Sequence, residues 1–386
     1  MINILYLHSS AEMYGADKVL LELLKGLDKT KFNPIVILPC DGILVDTLKR
    51  ENIETEIIPY PILRRQYFNP KGILQYGRDY FKYSKQILNF VKDKNIKLLH
   101  INTTAVLEGI YLKKKLNVPL IWHVHEILLR PRMLYKYLSF LVGKYADTTV
   151  VVSNSVKNHI LNSGLVKREQ IKIIYNGVDH KVYRNDFDTI YLHDEFGIPN
   201  NALVVGMIGR VNAWKGQGDF LKAVEPILKK HKNVYTVLIG GVFKGQEWRM
   251  DELKGKVKAM TNNNRIVVRD FRNDTPQLHN LFDVFVLPST DPDPLPTVVL
   301  EAMATGKPVI GYRHGGICEM VKDGHNGLLA EVRNPEDLAV KIDTLLQSKE
   351  LRDRMGRNSR ERLLEHFSIE SYTQNFSNEY KKLTGK

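Results

Sequence analysis

Asp293 and Glu301 stand eight positions apart in the run Asp293-Pro294-Leu295-Pro296-Thr297-Val298-Val299-Leu300-Glu301. The apolar stretch Val284 to Leu287 just before it reads as a buried strand. Prolines punctuate the loop that follows, and Thr297 to Ala304 has the composition of a helix opening. The first-turn N–H groups of such a helix have no intrahelical partners and form an anion site. A carboxylate in the loop and another inside the helix can hold neutral hydroxyls on either side of a bound phosphate. The spacing therefore suits a nucleotide-sugar, with sugar, diphosphate and ribose laid across one helix N-terminus.

Cations stand at another strand end. Val204-Val205-Gly206-Met207-Ile208-Gly209-Arg210 closes a buried strand at a glycine, and Lys215-Gly216 follows after a short loop. A guanidinium fork and an ammonium point charge suit phosphate oxygens. Near the N-terminus, the loop Ser9 to Asp17 contains Gly15, where a backbone can approach a phosphate without a Cβ. Trp122-His123-Val124-His125-Glu126 ends a strand, and alternation places both histidines on one side. Two histidines in that spacing invite a metal reading, but no further ligand cluster accompanies them. Asp291-Pro292-Asp293 also has the form of a metal-binding Asp-x-Asp. Its prolines, its late position and the spacing to Glu301 argue against a metal there.

Asp293 to Glu301 resembles the acidic-x7-Glu signature of family 4 of the retaining glycosyltransferases, the glycosyl transferases group 1, whose fold is GT-B. Asp293 stands where the usual form has Glu, and Leu295-Pro296 replace Phe-Gly. The resemblance spans residues 9 to 331 and is closer in the C-terminal half. It implies that Arg210 and Lys215 neutralise the donor diphosphate, Glu301 holds the ribose and Asp293 the transferred sugar. Leu295, Thr297 and Val298 would complete the donor site, with Gly15 near the phosphates and His125 beside the sugar. Arg272, in Arg269-Asp270-Phe271-Arg272, falls on the loop that borders the base in the family. Arg313-His314-Gly315-Gly316-Ile317-Cys318-Glu319 is similar to a glycine turn that shapes the family's crevice. The implied reaction is metal-independent and stereochemically retaining, with a nucleoside-diphosphate sugar as substrate and no cofactor.

The elements that must position these residues follow from the wider pattern. A chain of 386 residues with 43% hydrophobic and 26% charged residues is globular and long enough for two domains. Apolar runs at Ile2–Leu7, Pro34–Leu38, Glu54–Ile58, Leu98–Ile101, Leu120–Val124 and Thr148–Val152 alternate with helix-length segments. A second alternating series begins at Leu203, after a polar stretch, Lys181 to Pro199, that reads as a linker. This predicts two doubly wound, Rossmann-like α/β domains facing a crevice at the strand C-terminal ends. The expected division is 1–183 for an acceptor-binding domain and 184–366 for a donor-binding one. The family resemblance adds a final helix, 367–386, crossing back onto the first domain.

Composition narrows the classes further. Two cysteines without metal or redox spacing fit a reducing cytosol. The N-terminus reads as a first strand rather than a signal peptide. No Gly-x-Gly-x-x-Gly, Walker lysine or nucleophile elbow is present, which argues against dehydrogenases, NTPases and acyl transferases. The net charge of +13 is lopsided, since residues 60–145 hold 16 Lys/Arg against 4 Asp/Glu, interleaved with aromatics. That pattern fits either solvated helix faces or an anionic membrane surface. The expectation is a cytoplasmic protein, peripheral on the inner face of the cell membrane, with a saccharide or lipid-linked saccharide acceptor. Rival readings are a nucleotide-sugar epimerase on the same fold and a non-enzymatic polyanion-binding protein. A nucleic-acid partner is disfavoured, because the C-terminal half is near neutral and no recognised motif occurs.

Overall fold

The computed structural model describes residues 1–385. The chain forms two compact units, one of residues 1–177 with the segment from residue 369 onward, the other Val178–Ser368. The first holds seven strands: β1 Ile2–Leu7, β2 Phe32–Leu38, β3 Glu54–Ile57, β4 Ile96–Ile101, β5 Leu120–Val124, β6 Thr148–Val151 and β7 Ile171–Ile173. They run parallel in the order β3-β2-β1-β4-β5-β6-β7. Consecutive residues of β1, β5 and β6 are buried, so both sheet faces are covered. β2 starts two residues before the expected Pro34. β3 pairs with it only from Ile35↔Glu54, so the proline lies where the ladder on that side has not begun.

Two helix starts in this unit are set by side-chain caps. Asn69 precedes Pro70 and accepts from the Gly72 N–H at 2.9 Å, and Ser153 accepts from the Val156 N–H at 3.2 Å. Each such cap contributes about 1 kcal/mol. The final helix, Ile369–Thr384, buries Tyr372, Phe376 and Tyr380 against the first sheet and the helix Gly15–Gly26. Each of those rings stabilises the unit by about 1.5–3 kcal/mol. The approach is close: a Cβ on Gly26 would lie 2.6 Å from Thr373 Oγ1.

The second unit holds β8 Leu203–Ile208, β9 Val234–Ile239, β10 Ile266–Arg269, β11 Val284–Leu287, β12 Val309–Tyr312 and β13 Gly327–Ala330. These are also parallel, in the order β10-β9-β8-β11-β12-β13. The stretch expected as a linker contains a helix, Ile190–Phe196. Asp188 accepts from the Ile190 N–H at 2.9 Å, and Gly197 ends the helix at φ +65°. A seven-residue helix with polar flanks leaves little periodicity to read.

In each sheet the strand order reverses once, between β1 and β4 and between β8 and β11. Beyond the C-terminal ends of those strands lies the position where doubly wound sheets bind ligands. No helix among the described residues is long and apolar enough to cross a membrane.

Candidate active site

In the second unit, the loops after β8 and β11 are stitched together at the switch point. The Thr290 N–H donates to the Trp214 carbonyl at 2.7 Å. Asn212 Oδ1 accepts from the Trp214 and Lys215 N–H groups at 3.0 and 2.8 Å, turning the loop so that Lys215 faces β11. Gly216 follows at φ +87°, where a Cβ would sit 1.9 Å from the Pro288 carbonyl oxygen. Only glycine permits that approach. The Lys215 ammonium pairs with Asp293 Oδ2, and Ser289 Oγ lies 3.3 Å from the same oxygen. Both charged side chains are largely buried.

Arg210 leaves β8 two residues past its end, with its carbonyl held by Gln217 Nε2 at 3.0 Å. Its guanidinium carbon lies 3.6 Å from the centre of the Phe243 ring. Stacking of that kind fixes a planar cation. The helix Thr297–Ala304 begins after Pro296 with no side-chain cap. The half-buried Thr297 and Val298 therefore start a helix whose first N–H groups no side chain caps, while Leu295 is buried beneath. Glu301 is buried one turn in, with Oε2 3.4 Å from His279 Nε2.

The Gly315-Gly316 turn braces this loop. The Gly316 N–H donates to the Asp293 carbonyl at 2.7 Å, and a Cβ on Gly316 would come within 2.0 Å of the Pro294 oxygen. His314 Nε2 reaches the Ser289 carbonyl at 2.5 Å. The two acids of Asp291-Pro292-Asp293 go to different cations, Asp291 to Arg333 at 3.0 Å and Asp293 to Lys215. Among the described residues no group of three or more His, Cys, Asp or Glu is arranged to hold a metal ion. The Arg272 guanidinium is occupied by Glu195 and Asp274. Those bonds fasten the loop after β10 to the helix Ile190–Phe196.

In the first unit, β1, β4 and β5 end on one edge, followed by His8, Asn102 and His125. His8 Nε2 lies 2.9 Å from Asp17 Oδ1, and His8 Nδ1 lies 3.1 Å from Asn102 Nδ2. Asn102 Oδ1 in turn lies 3.0 Å from His125 Nε2. Burial pushes His125 down to about 3, so the imidazole is neutral at physiological pH. The fully buried His123 packs beneath it, ring centres 3.9 Å apart, and reaches His100 at 3.3 Å. Gly15 opens the helix Gly15–Gly26, and the Tyr14 N–H before it donates to Asp17 Oδ2 at 3.0 Å.

Arg210, Lys215, Asp293, Leu295, Thr297, Val298 and Glu301 thus lie on or beside the switch-point loops of the second unit. Gly15 and His125 lie on the corresponding loops of the first. The sequence reading did not single out Ser289, His279 or Phe243, nor His8, Asp17 and Asn102 as partners of His125. One signal was available: His8 and Asn102 are the first polar residues after buried apolar strands on either side of a reversal in strand order.

Two doubly wound units, the second carrying cations, carboxylates and a bare helix N-terminus at its switch point, define the GT-B class of nucleotide-sugar fold. Residues 189–362 match the glycosyl transferases group 1 family and residues 13–182 match Glycosyltransferase Family 4. The chain belongs to this family. It is 30% identical over 247 residues to the spore coat protein SA of Bacillus subtilis, covering 60% of this chain and 64% of that protein. It is 28% identical over 236 residues to the capsular polysaccharide biosynthesis glycosyltransferase CapM of Staphylococcus aureus, covering 60% of this chain and 61% of CapM. Both alignments span less than two thirds of the relative. Among solved structures, Anabaena Alr3699/HepE in complex with UDP and glucose matches with a TM-score of 0.86 at 25% identity, covering 99% of this chain and 100% of that one. Sucrose-phosphate synthase from Thermosynechococcus elongatus matches in fold, with a TM-score of 0.83 at 18% identity over 100% of both chains.

Proposed function

We infer that the protein transfers a glycosyl group from a nucleoside-diphosphate sugar to a saccharide acceptor, with retention of configuration and without a metal. The observation that carries this reading is the Lys215–Asp293 pair set beside the uncapped helix N-terminus at Thr297. Lys215, Arg210 and the first-turn N–H groups take the diphosphate. As the bond from sugar C1 to phosphate oxygen breaks, its electron pair leaves with the nucleoside diphosphate, and these groups stabilise that charge. The acceptor hydroxyl oxygen bonds C1 from the face the phosphate leaves and gives its proton to the departing phosphate oxygen. Asp293 holds the transferred sugar, Glu301 the ribose, and His125 a hydroxyl of the sugar. The HepE structures with UDP and with UDP-glucose favour a uridine diphosphate sugar as donor.

The acceptor is assigned to the first unit and to a lipid-linked saccharide of a cell-surface glycan, which the likeness to CapM supports. On the helix Arg132–Tyr145, Met133, Tyr137 and Phe140 stand exposed at helical spacing. On the helix Pro70–Val91, Ile73, Leu74 and Phe81 are exposed among Lys71, Arg78, Lys82 and Lys85. Apolar side chains set among cations suit an anionic bilayer surface.

The test is release of UDP, GDP and dTDP from a panel of sugar donors, with and without saccharide acceptors and EDTA. Acceptor-dependent release that survives EDTA is expected. Interconversion of donor sugars without an acceptor would establish the epimerase instead. Loss of release in EDTA, restored by Mn²⁺, would overturn the metal-free mechanism.

A further inference from the structure

The row Asp17, His8, Asn102, His125 has a direction. Burial opposes the charge on Asp17, but hydrogen bonds from His8, Ser10 and the Tyr14 N–H overcome it and hold the carboxyl below the usual carboxylate value. Asp17 is therefore ionised at neutral pH and only accepts. His8, 1% exposed, must then carry its proton on Nε2, facing Asp17 at 2.9 Å. The Asn102 amide nitrogen stands 3.1 Å from His8 Nδ1, and since an NH2 only donates, Nδ1 is the accepting nitrogen. The Asn102 oxygen is thereby turned toward His125 and accepts from Nε2–H at 3.0 Å. Tyr60 adds rigidity, since its hydroxyl donates to the His8 carbonyl at 2.5 Å and takes the His8 N–H at 3.1 Å. His125 Nδ1 has no hydrogen-bond partner among the described residues, and the ring is only half-buried.

We propose that Asp17 is a positioning residue that, through His8 and Asn102, fixes His125 as its Nε2–H tautomer and presents Nδ1 to the transferred sugar as a hydrogen-bond acceptor. This rests on the assignment of His125 to the sugar. Glycosyl transfer passes through an electron-poor, oxocarbenium-like sugar. An imidazole nitrogen accepting from a sugar hydroxyl adds electron density to that ring, whereas an N–H donating to it withdraws density. The tautomer thus bears on the transition state more than on donor binding.

Two variants test the direction of the row. In Asp17→Asn, the Tyr14 N–H still demands an acceptor, so the amide oxygen takes the Oδ2 place and the NH2 faces His8. His8 must then carry its proton on Nδ1, Asn102 must turn over, and His125 must carry its proton on Nδ1. In Asp17→Asn/Asn102→Asp, the carboxylate at 102 accepts from both histidines, which returns His125 to Nε2–H with the net charge unchanged. Histidine-selective 15N labelling of the full chain at pH 8, above the ordinary imidazole pKa of about 6.5, reads the tautomer from long-range 15N–1H couplings. His125→Asn identifies the signal.

The expected result is Nε2–H in the native protein, Nδ1–H in the single variant and Nε2–H again in the double variant. Turnover should fall about tenfold in the single variant at little-changed donor KM and recover in the double. An Nδ1–H His125 in the native protein, or a tautomer indifferent to Asp17→Asn, overturns the proposal. Inversion without change in turnover overturns the link to the sugar. A native protein that releases no nucleotide from any donor instead refutes the transferase reading, and the couplings are read independently of it.

Discussion

The Lys215 ammonium is paired with the Asp293 carboxylate across 78 positions of sequence. The cation assigned to the donor diphosphate is thus neutralised, before donor arrives, by the carboxylate assigned to the sugar. On the proposed reading, a nucleotide-sugar would serve both partners at once, giving phosphate oxygens to Lys215 and hydroxyls to Asp293. Neither charge is then left buried and unpaired, which would cost several kcal/mol. A bare nucleoside diphosphate has no hydroxyl for Asp293, so it must compete with that carboxylate for Lys215.

Replacing either cation by alanine should lower turnover by about 10²–10³-fold. The two variants should differ in stability. Lys215→Ala strands the buried Asp293 carboxylate, a loss of about 1–3 kcal/mol, which corresponds to roughly 2–12 °C in Tm for a unit of this size. Arg210→Ala removes a guanidinium stacked on the Phe243 ring, a contact of about 0.5–2 kcal/mol, and should melt closer to the native protein. Steady-state kinetics and calorimetry together check this. Near-native turnover in both variants would remove the phosphate assignment.

The two carboxylates should separate in binding experiments. Asp293→Asn should reduce transfer while binding bare UDP several-fold more tightly, because Lys215 is released to the phosphates. Glu301→Gln should weaken UDP and the UDP-sugar alike, since the ribose is common to both. Calorimetric titration with UDP decides between them. Equal weakening in the two variants would contradict the division of roles.

Glu108 should make the first unit pH-sensitive. Its side chain is fully buried at the start of the helix Glu108–Leu116, with Oε2 taking the Leu107 N–H at 3.1 Å and Oε1 unpartnered. Burial pushes its carboxyl up to about 8. The folded chain then holds a proton that an unfolded one releases near pH 4.3. Glu108 alone lowers stability by about 1.4 kcal/mol per pH unit from there toward pH 8. Below about pH 6.5 the buried neutral His100, His123 and His125 impose the opposite slope, so the Glu108 contribution is read between about pH 6.5 and 8. Glu108→Gln should flatten the slope and exceed the native protein at pH 8. Urea melts from about pH 6.5 to 8 measure both, and parallel slopes for the two proteins would exclude Glu108 as the source.

Membrane attachment should be reversible and salt-dependent. Arg64, Arg65, Lys71, Arg78, Lys82 and Lys85 are all exposed, and each cation at an anionic surface contributes about 1 kcal/mol. Sedimentation with anionic vesicles at low salt, release as salt rises, and loss on neutralising these six are expected. Indifference to lipid charge would reduce the patch to a solvated face.

What the sequence disclosed follows how local each signal is. Buried strands such as Ile2–Leu7, Leu120–Val124 and Val284–Leu287 coincide with their apolar runs, because covering both faces of a parallel sheet demands them. β7 has three residues, Ile171-Lys172-Ile173, and only its pairing with β6 makes it a strand. Asp293 and Glu301 were legible because a loop and one helix carry both. The Asp17–His125 row was not, since its four members come from three strand ends and a helix start that meet only in the folded sheet.

The helix Ile369–Thr384 belongs to the unit begun by residue 1, with all of Val178–Ser368 between. Tyr6 and the Nδ1 of His100 both hydrogen-bond the Tyr380 hydroxyl, at 3.0 and 2.8 Å. A chain emerging from a ribosome at about 5–20 residues per second must wait roughly 10–40 s between completing β7 and receiving that helix. Through that interval the nascent first unit keeps an apolar groove and two buried polar groups open to water. The second unit has all its residues in one stretch and can close first, so the half of the protein begun earlier is finished last.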